Sequence, residues 1–346
     1  MNQTELYPLR FEPIYQYRPW GGRLLAGLLS APLPGDGPIG EAWILSDRDD
    51  HPSRVADGPL KGTGLRELMD LWPEELLGGW AGRFRRFPLL LKFLDARDTL
   101  SVQVHPSDRQ VQYIPPGESG KTEAWVVLET GTDSRIYAGL EPGATTESLR
   151  WTIDNGTVAS QLASFVPKIG DGILVSAGTV HSLGDVVVFE VQENSDVTFR
   201  LYDWGHVDPK TGQPRPLQVE EALACVDLDQ VLVRPVVPVV EESEPLLREK
   251  VFDGEHFGLW RHRCDSPFTV GEALTPRVLV CTDGVGQLEY RGHHYVIRKG
   301  DAMLLPAVVG ACMCLPRGSM EVLEISLPEG SGSMETPQDP GDDDSR

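Results

Sequence analysis

A fold dominated by β-strands, built as a sandwich or barrel in two modules, follows from three features of the sequence. Short segments of alternating apolar and polar residues recur along the chain. Tight glycine-rich turns separate them, with little helix between. One segment also repeats: Ile169-Gly-Asp-Gly-Ile-Leu-Val-Ser-Ala-Gly-Thr-Val-His181 lines up with Lys299-Gly-Asp-Ala-Met-Leu-Leu-Pro-Ala-Val-Val-Gly-Ala311, Gly-Asp on Gly-Asp and apolar strand on apolar strand.

The 346-residue chain has room for one large domain or two medium ones. Its 31 basic and 52 acidic residues leave a net charge of −21, which argues against nucleic acid or an anionic membrane as partner. A small anion held by a few local Lys and Arg residues remains open. The first ten residues lack a basic stretch followed by an apolar one, so no signal peptide is expected, and no apolar run approaches the ~18 residues of a membrane span. Five loosely spaced cysteines without a CxxC pattern predict buried, reduced thiols in a cytoplasmic protein. The Cys312-Met-Cys314 pair alone cannot close a zinc shell.

Taken in order, residues 7–60 are rich in Gly and Pro, with a turn cluster at Arg18–Gly22 and a short strand over Gly40–Ser46. From 63 to 80 the period changes: Leu65, Leu68, Met69, Trp72, Leu76 and Leu77 recur at three and four, predicting one helix interrupted near Pro73 or two short ones. Phe87–Leu94 is an apolar strand with one charge, Lys92, which is either a lysine reaching out from a sheet edge or a cation turned into a cavity.

Thr99–Asp108 alternates strictly, placing Leu100, Val102 and Val104 on one face and Thr99, Ser101, Gln103 and His105 on the other. That polar face suits the wall of a wet cavity. After a loop to Gly120, a strand over 121–128 puts Lys121, Glu123 and Trp125 on one side. Another short strand is expected at 134–139, then two weakly helical pieces over 145–163 broken at Asn155-Gly156. The repeated segment supplies a turn, a strand and a second turn that delivers His181. Strands at 186–192 and 197–202 follow; the first carries Val188, Glu190 and Gln192 on one side, and the second places Thr198, Arg200 and Tyr202 together.

The expected division is a first module over 1–205 with a helical insertion at about 63–80, a proline-bearing linker and crossover over 206–249, a second module over 250–328, and an acidic tail over 329–346. Ala311 stands where His181 stands in the first copy, so the site is expected once, in the first module. The tail carries six acidic residues and one basic residue and is expected to be disordered.

Gln103, His105, Glu123 and His181 converge as metal ligands. Two imidazoles and a carboxylate on separate strands facing one interior, with the Gln103 amide beside His105, suit a four-coordinate divalent ion with room for water or substrate. Nitrogen and oxygen donors also suit Fe, Mn, Ni or Co, so the set does not select zinc.

Ser101-Val-Gln-Val-His-Pro-Ser-Asp108, Gly120-Lys-Thr-Glu-Ala-Trp125, Ala177-Gly-Thr-Val-His181 and the run from Glu190 to Arg200 resemble type I mannose-6-phosphate isomerase in its shorter bacterial form. Trp20-Gly-Gly22 and Gly40-Glu-Ala-Trp43 fit as well, and the likeness extends over roughly 8–325. Val104 and Val180 stand at positions that vary within such motifs, and the acidic tail is not part of the family pattern.

The resemblance implies two double-stranded β-helix (cupin) modules with a few short helices, and one zinc ion, or another divalent metal, in the first. By position Gln103, His105, Glu123 and His181 match the family's ligands and Arg200 its active-site arginine, while Ser101 and Lys121 match substrate-side positions.

The reaction implied moves a proton between C1 and C2 of mannose 6-phosphate and fructose 6-phosphate through an enediol, whose developing negative charge needs a metal or a fixed cation. On this expectation Arg200 supplies charge to the enediolate, Lys121 and Ser101 hold the phosphate or assist proton movement, and Lys92 adds charge. Glu190 is a base, a residue that orients Arg200 or, more simply, a structural salt-bridge partner. A metal-dependent cupin oxygenase and a non-catalytic sugar-binding cupin are the alternatives; the cations and Gln103 argue against the first, and the complete ligand set against the second. A monomer is expected.

Overall fold

The computed structural model describes residues 5–229 and 232–327; the tail expected to be disordered lies outside them. The first half holds strands β1 (Leu9–Arg10), β2 (Ile14–Gly22), β3 (Ile39–Leu45), β4 (Leu89–Ala96), β5 (Val102–Val104), β6 (Glu123–Leu140), β7 (Leu162–Phe165), β8 (Gly172–Val175), β9 (His181–Glu193) and β10 (Phe199–Tyr202). Its helices are α1 (Leu25–Leu28), α2 (Leu65–Leu71), α3 (Pro73–Leu77), α4 (Thr146–Asp154) and α5 (Val219–Cys225). The second half continues with β11 (Val239–Glu242), β12 (Leu247–Asp253), β13 (Gly258–Cys264), β14 (Phe268–Val270), β15 (Arg277–Asp283), β16 (Val285–Tyr290), β17 (His293–Arg298), β18 (Ala302–Leu305), β19 (Cys312–Pro316) and β20 (Met320–Ser326).

All pairings between these strands are antiparallel. In the first module β10, β5, β9, β4, β2 and β3 lie side by side, and β6 pairs with β7, β8 and β9. In the second, β1-β18-β15-β20-β13-β12-β11 form one sheet and β14-β19-β16-β17 another. Alternation along β4, β6 and β9 divides their side chains between two environments. Phe93, Val126, Phe189 and Val191 join Phe252, Leu259, Leu323 and Ile325 of the second module in one core between the two sheets. The opposite face turns Trp125, Val127 and Val188 into the interior of the first barrel. A continuous apolar layer therefore welds the modules together.

The repeated Gly-Asp turns have the same geometry. Gly170 and Gly300 sit at φ of 89° and 85°, where a side chain is disfavoured. Asp171 and Asp301 each accept the main-chain N–H three residues back, from Lys168 at 2.8 Å and Arg298 at 3.1 Å.

Several sequence expectations shift. The first module does not begin at residue 1: β1 crosses to the second sheet, with Leu9 opposite Leu304. The span 206–249 is not only a linker, because α5 buries Ala222, Leu223 and Cys225 against Val102, Val104 and Leu201 of the first module, and β11 belongs to the second sheet. The separate strands at 121–128 and 134–139 are one bent strand, β6, whose register against β9 slips near Glu129 and again before Arg135. The helical insertion is two short helices divided at Trp72-Pro73, as proline's missing N–H dictates. Asn155-Gly156 ends α4, whose Thr145 and Ser148 form a capping box.

Candidate metal centre and substrate cavity

Cross-strand register assembles the site. Gln103 on β5 lies opposite His181 on β9 and also opposite Arg200 on β10, so the three share one row. A second row runs Trp43, Lys92, Glu190, Trp125 across β3, β4, β9 and β6. Glu123, two residues before Trp125, shares its face.

His105, Glu123 and His181 are almost wholly buried, and their ligand atoms all lie within 4.8 Å of one another. The Nδ1–H of His105 donates to the Val197 carbonyl at 2.8 Å and that of His181 to the Thr179 carbonyl at 2.9 Å. A carbonyl only accepts, so each ring keeps its proton on Nδ1 and turns the Nε2 lone pair inward. Gln103 Nε2 lies 3.1 Å from His181 Nε2, and a half-turn of the amide presents Oε1 at that point.

Among the described residues His105 Nε2 and both Glu123 oxygens have no hydrogen-bond partner. Buried donors and acceptors are almost always satisfied, so this cluster of orphaned lone pairs fits a cation. Burial and the neighbouring Lys121 lower the His105 imidazole to about 3, and burial lowers His181 too, which keeps both rings neutral as ligands must be. Burial works against the Glu123 charge, but Lys121 and the two imidazoles hold the carboxyl well below its usual range.

The centre opens on a cavity of about 470 Å³ lined by Ser101, Gln103, Lys92, Lys121, Glu190 and Arg200, together with Tyr17, Arg18, Glu41, Thr198, Asp208 and Arg215. Most of its cations are matched. Arg18 Nε meets Glu41 at 2.9 Å, Lys92 Nζ meets Glu190 at 3.2 Å, and Lys121 Nζ forms an ion pair with Glu123 at 2.9 Å. Arg215 Nε donates to Asp203 at 2.8 Å.

Arg200 differs. Its Nη1 donates to the Pro216 carbonyl at 2.9 Å, its Nε is buried without a partner, and no carboxylate within ion-pair distance is found for it among the described residues. Burial and the nearby Arg215 lower its pKa, against a smaller opposing effect of Asp203.

Both readings of Lys92 are now separable. β4 is an interior strand, so the side chain does not escape past a sheet edge. It is buried, faces the cavity, and lies 5.2 Å from the Trp43 ring centroid. Glu190 takes the Trp125 indole N–H at 2.9 Å, and burial together with the Glu123 charge raises its pKa. Ser101 is buried at the cavity wall.

The face shared by Thr198, Arg200 and Tyr202 is broken by a bulge after Arg200. Thr198 and Arg200 line the cavity, while Tyr202 turns to Trp204. Arg18, Glu41, Asp208 and Arg215 went unrecognised in the sequence. Glu41 and Trp43 share a parity on β3, a signal available in Gly40-Glu-Ala-Trp43; Asp208 and Arg215 lie on a loop with no periodic signal.

Among the described residues the second barrel offers no such centre. The Gly170 N–H donates to the Val127 carbonyl and the Gly300 N–H to the Cys281 carbonyl, which makes Val127 and Cys281 counterparts. Four residues upstream, Arg277 then stands for Glu123, and Ala311 stands for His181. Four of the five free cysteines fill this barrel's interior, where burial pushes Cys314 up to about 12, far from a metal-binding thiolate.

The family model of the type I phosphomannose isomerase catalytic domain matches residues 9–123. A mannose-6-phosphate isomerase of Bacillus subtilis is 33% identical over 304 residues, 88% of this chain and 94% of the relative. The crystal structure of mannose 6-phosphate isomerase from Bacillus subtilis superposes with a TM-score of 0.85 at 28% identity, covering 93% of this chain and 100% of that one. A variant of the Salmonella typhimurium phosphomannose isomerase, at 16% identity and a TM-score of 0.74 over 93% of this chain, shares the fold. The fold is the expected pair of cupin modules.

Proposed function

The chain belongs to the type I mannose-6-phosphate isomerase family, and from that premise we propose that it interconverts mannose 6-phosphate and fructose 6-phosphate with zinc held by Gln103, His105, Glu123 and His181. The ligand assignment rests on orphaned lone pairs converging on one point, and zinc on the preference of that ion for imidazole and carboxylate donors. When bound, the ion supplies Lewis-acid charge to the sugar oxygens near C1 and C2.

The chain's own residues do the rest. Burial works against the Lys121 charge, but Glu123 and Glu190 together hold its pKa above the ordinary value, so it stays an ammonium ion. We therefore assign it to charge stabilisation and phosphate binding, with Ser101 beside it, and not to proton abstraction. Glu190 faces the cavity with its pKa raised, which makes it the better proton acceptor, and Lys92 and Trp125 hold it in place. The single observation that carries the Arg200 assignment is its lack of a carboxylate partner in a cavity where the other cations have one. A fixed guanidinium with no carboxylate in contact is what a developing enediolate requires.

A coupled assay of mannose 6-phosphate conversion, with and without a chelator, tests the reading. We expect Arg200→Lys to lower kcat about 100-fold, because an ammonium ion cannot keep the Pro216 tether while facing substrate. Near-normal kcat in that variant removes Arg200 from the chemistry. The enzyme is further proposed to act as a monomer in the cytoplasm, where its buried free thiols suit a reducing compartment. No helix among the described residues is long and apolar enough to cross a membrane.

A further inference from the structure

Among the described residues no metal-ligand cluster is found in the second barrel, yet one of its side chains reaches the first. His256 sits on the turn between β12 and β13, closed by the Gly254 N–H on the Phe257 carbonyl at 3.2 Å. Its Nδ1 lies 3.1 Å from Glu193 Oε1, at the last residue of β9. The other oxygen, Glu193 Oε2, accepts the Thr122 main-chain N–H at 2.7 Å, and the Glu193 N–H donates to the Thr122 carbonyl at 3.1 Å. Thr122 is thus held at both its N–H and its C=O by a single residue.

Thr122 lies between Lys121 and Glu123, whose charged ends are 2.9 Å apart at the metal centre. Its hydroxyl also accepts the Ala177 N–H at 3.4 Å, in the turn that delivers His181. We propose that His256 is a positioning residue of the isomerase: by fixing the Glu193 carboxylate it sets the Thr122 peptide, and through it the spacing of Lys121 and Glu123.

The contact is built for that task. The Glu193 carboxylate raises the His256 pKa against the opposing effect of burial, and Glu255 and Asp108 add to it, so the imidazole is a strong donor. Without it, Glu193 remains free to swing toward solvent and take the Thr122 N–H with it. The ligand-less barrel then has a catalytic reason to be welded to the first. This inference rests on the site reading proposed above.

The test uses the full chain loaded with its metal. We expect His256→Ala to lower kcat about tenfold with KM changed by less than about twofold, since the loss is one of alignment and not of substrate contacts. His256→Gln, whose amide also donates to Glu193, should recover about half or more of kcat. Hydrogen exchange at the Thr122 amide should speed up in His256→Ala and not in His256→Gln. In a double-mutant cycle on kcat, Glu193→Gln should cost little more once His256 is alanine.

Unchanged kcat in His256→Ala, a glutamine variant as slow as the alanine variant, unchanged exchange at Thr122, or additive effects in the cycle would each overturn the proposal. Arg200→Ala and Glu123→Ala separate the two levels. If both keep full activity, the site reading itself fails; if both are inactive while His256→Ala is normal, only the positioning role fails.

Discussion

His105 and His181 present their Nε2 atoms to the same Glu123 carboxylate, one to each oxygen, at 3.3 Å in both cases. Both rings are oriented by main-chain carbonyls and not by side chains, so the backbone of the barrel itself holds the ligand set. Removing either ring leaves three donors in place of four and the Glu123 oxygen that faced it unmatched. His105→Ala should therefore weaken metal binding by at least about 100-fold and abolish isomerisation in proportion. Metal content after dialysis, measured beside activity, checks this; an alanine variant that keeps its metal and its rate removes His105 from the centre.

The Lys92–Glu190 pair makes a second prediction, because its stability and activity effects part company. Both partners are buried, so removing one leaves an uncompensated charge at a cost of about 3–5 kcal/mol. Glu190→Ala or Lys92→Ala alone should lower the melting temperature sharply. The double variant Lys92→Met with Glu190→Gln should regain most of that stability while remaining inactive. Thermal unfolding beside kcat decides it: recovery of both would mean that the pair serves the fold alone.

The pH dependence of the metal-free protein has a definite sign. Burial, with Lys121 beside it, holds the His105 imidazole at about 3, and burial lowers His181 as well, against about 6.5 in an unfolded chain. Below that unfolded value the unfolded chain binds more protons than the folded one. The stabilisation is complete above about pH 6.5 and is lost as pH falls toward the folded value, by about 1.4 kcal/mol per unit for each ring. Urea midpoints after chelation should be lower at pH 5.5 than at 7.5, with a shallower dependence in the double variant His105→Gln, His181→Gln. A midpoint that rises on acidification contradicts the neutral rings.

The matched Gly-Asp turns allow a backbone effect to be separated from a clash. At Gly170 an added Cβ meets nothing nearer than Arg263 Nη2 at 3.7 Å, whereas at Gly300 it would lie 2.1 Å from the Leu28 carbonyl oxygen. Both glycines share the left-handed conformation, so Gly170→Ala should cost only the conformational penalty of about 1–2 kcal/mol. Gly300→Ala should cost at least about twice as much, because the obstacle is main chain. Equal melting temperatures for the two variants would show that Leu28 gives way.

How much of this was legible in the sequence depended on whether one strand carried the information. Gln103, His105 and Glu123 stood out because each sits at the cavity-facing parity of a clear apolar alternation, and parity is a local property; His181 stood out as the residue delivered by the second turn of the repeated segment. Tyr202 was misplaced because a single bulge after Arg200 reverses parity and leaves no mark in composition. The cation Arg18 was hidden because its meaning lies in Glu41, 23 residues away on another strand. The helix α5 carries Val219, Ala222 and Leu223 at helical spacing, but it is too short to outweigh the prolines around it. The crossing of β1 to the second sheet depends on a pairing with Leu304, and no window of the sequence contains both residues.

That crossing orders events in time. Leu9–Arg10 is made before nearly all of the first module, and its partners Met303 and Leu304 only after the other strands of the first module. At about 5–20 residues per second, the first strand waits on the order of 15–60 s for the edge it joins. The first module can therefore close around its site while β1, on its flank, is still unpaired and waiting for β18.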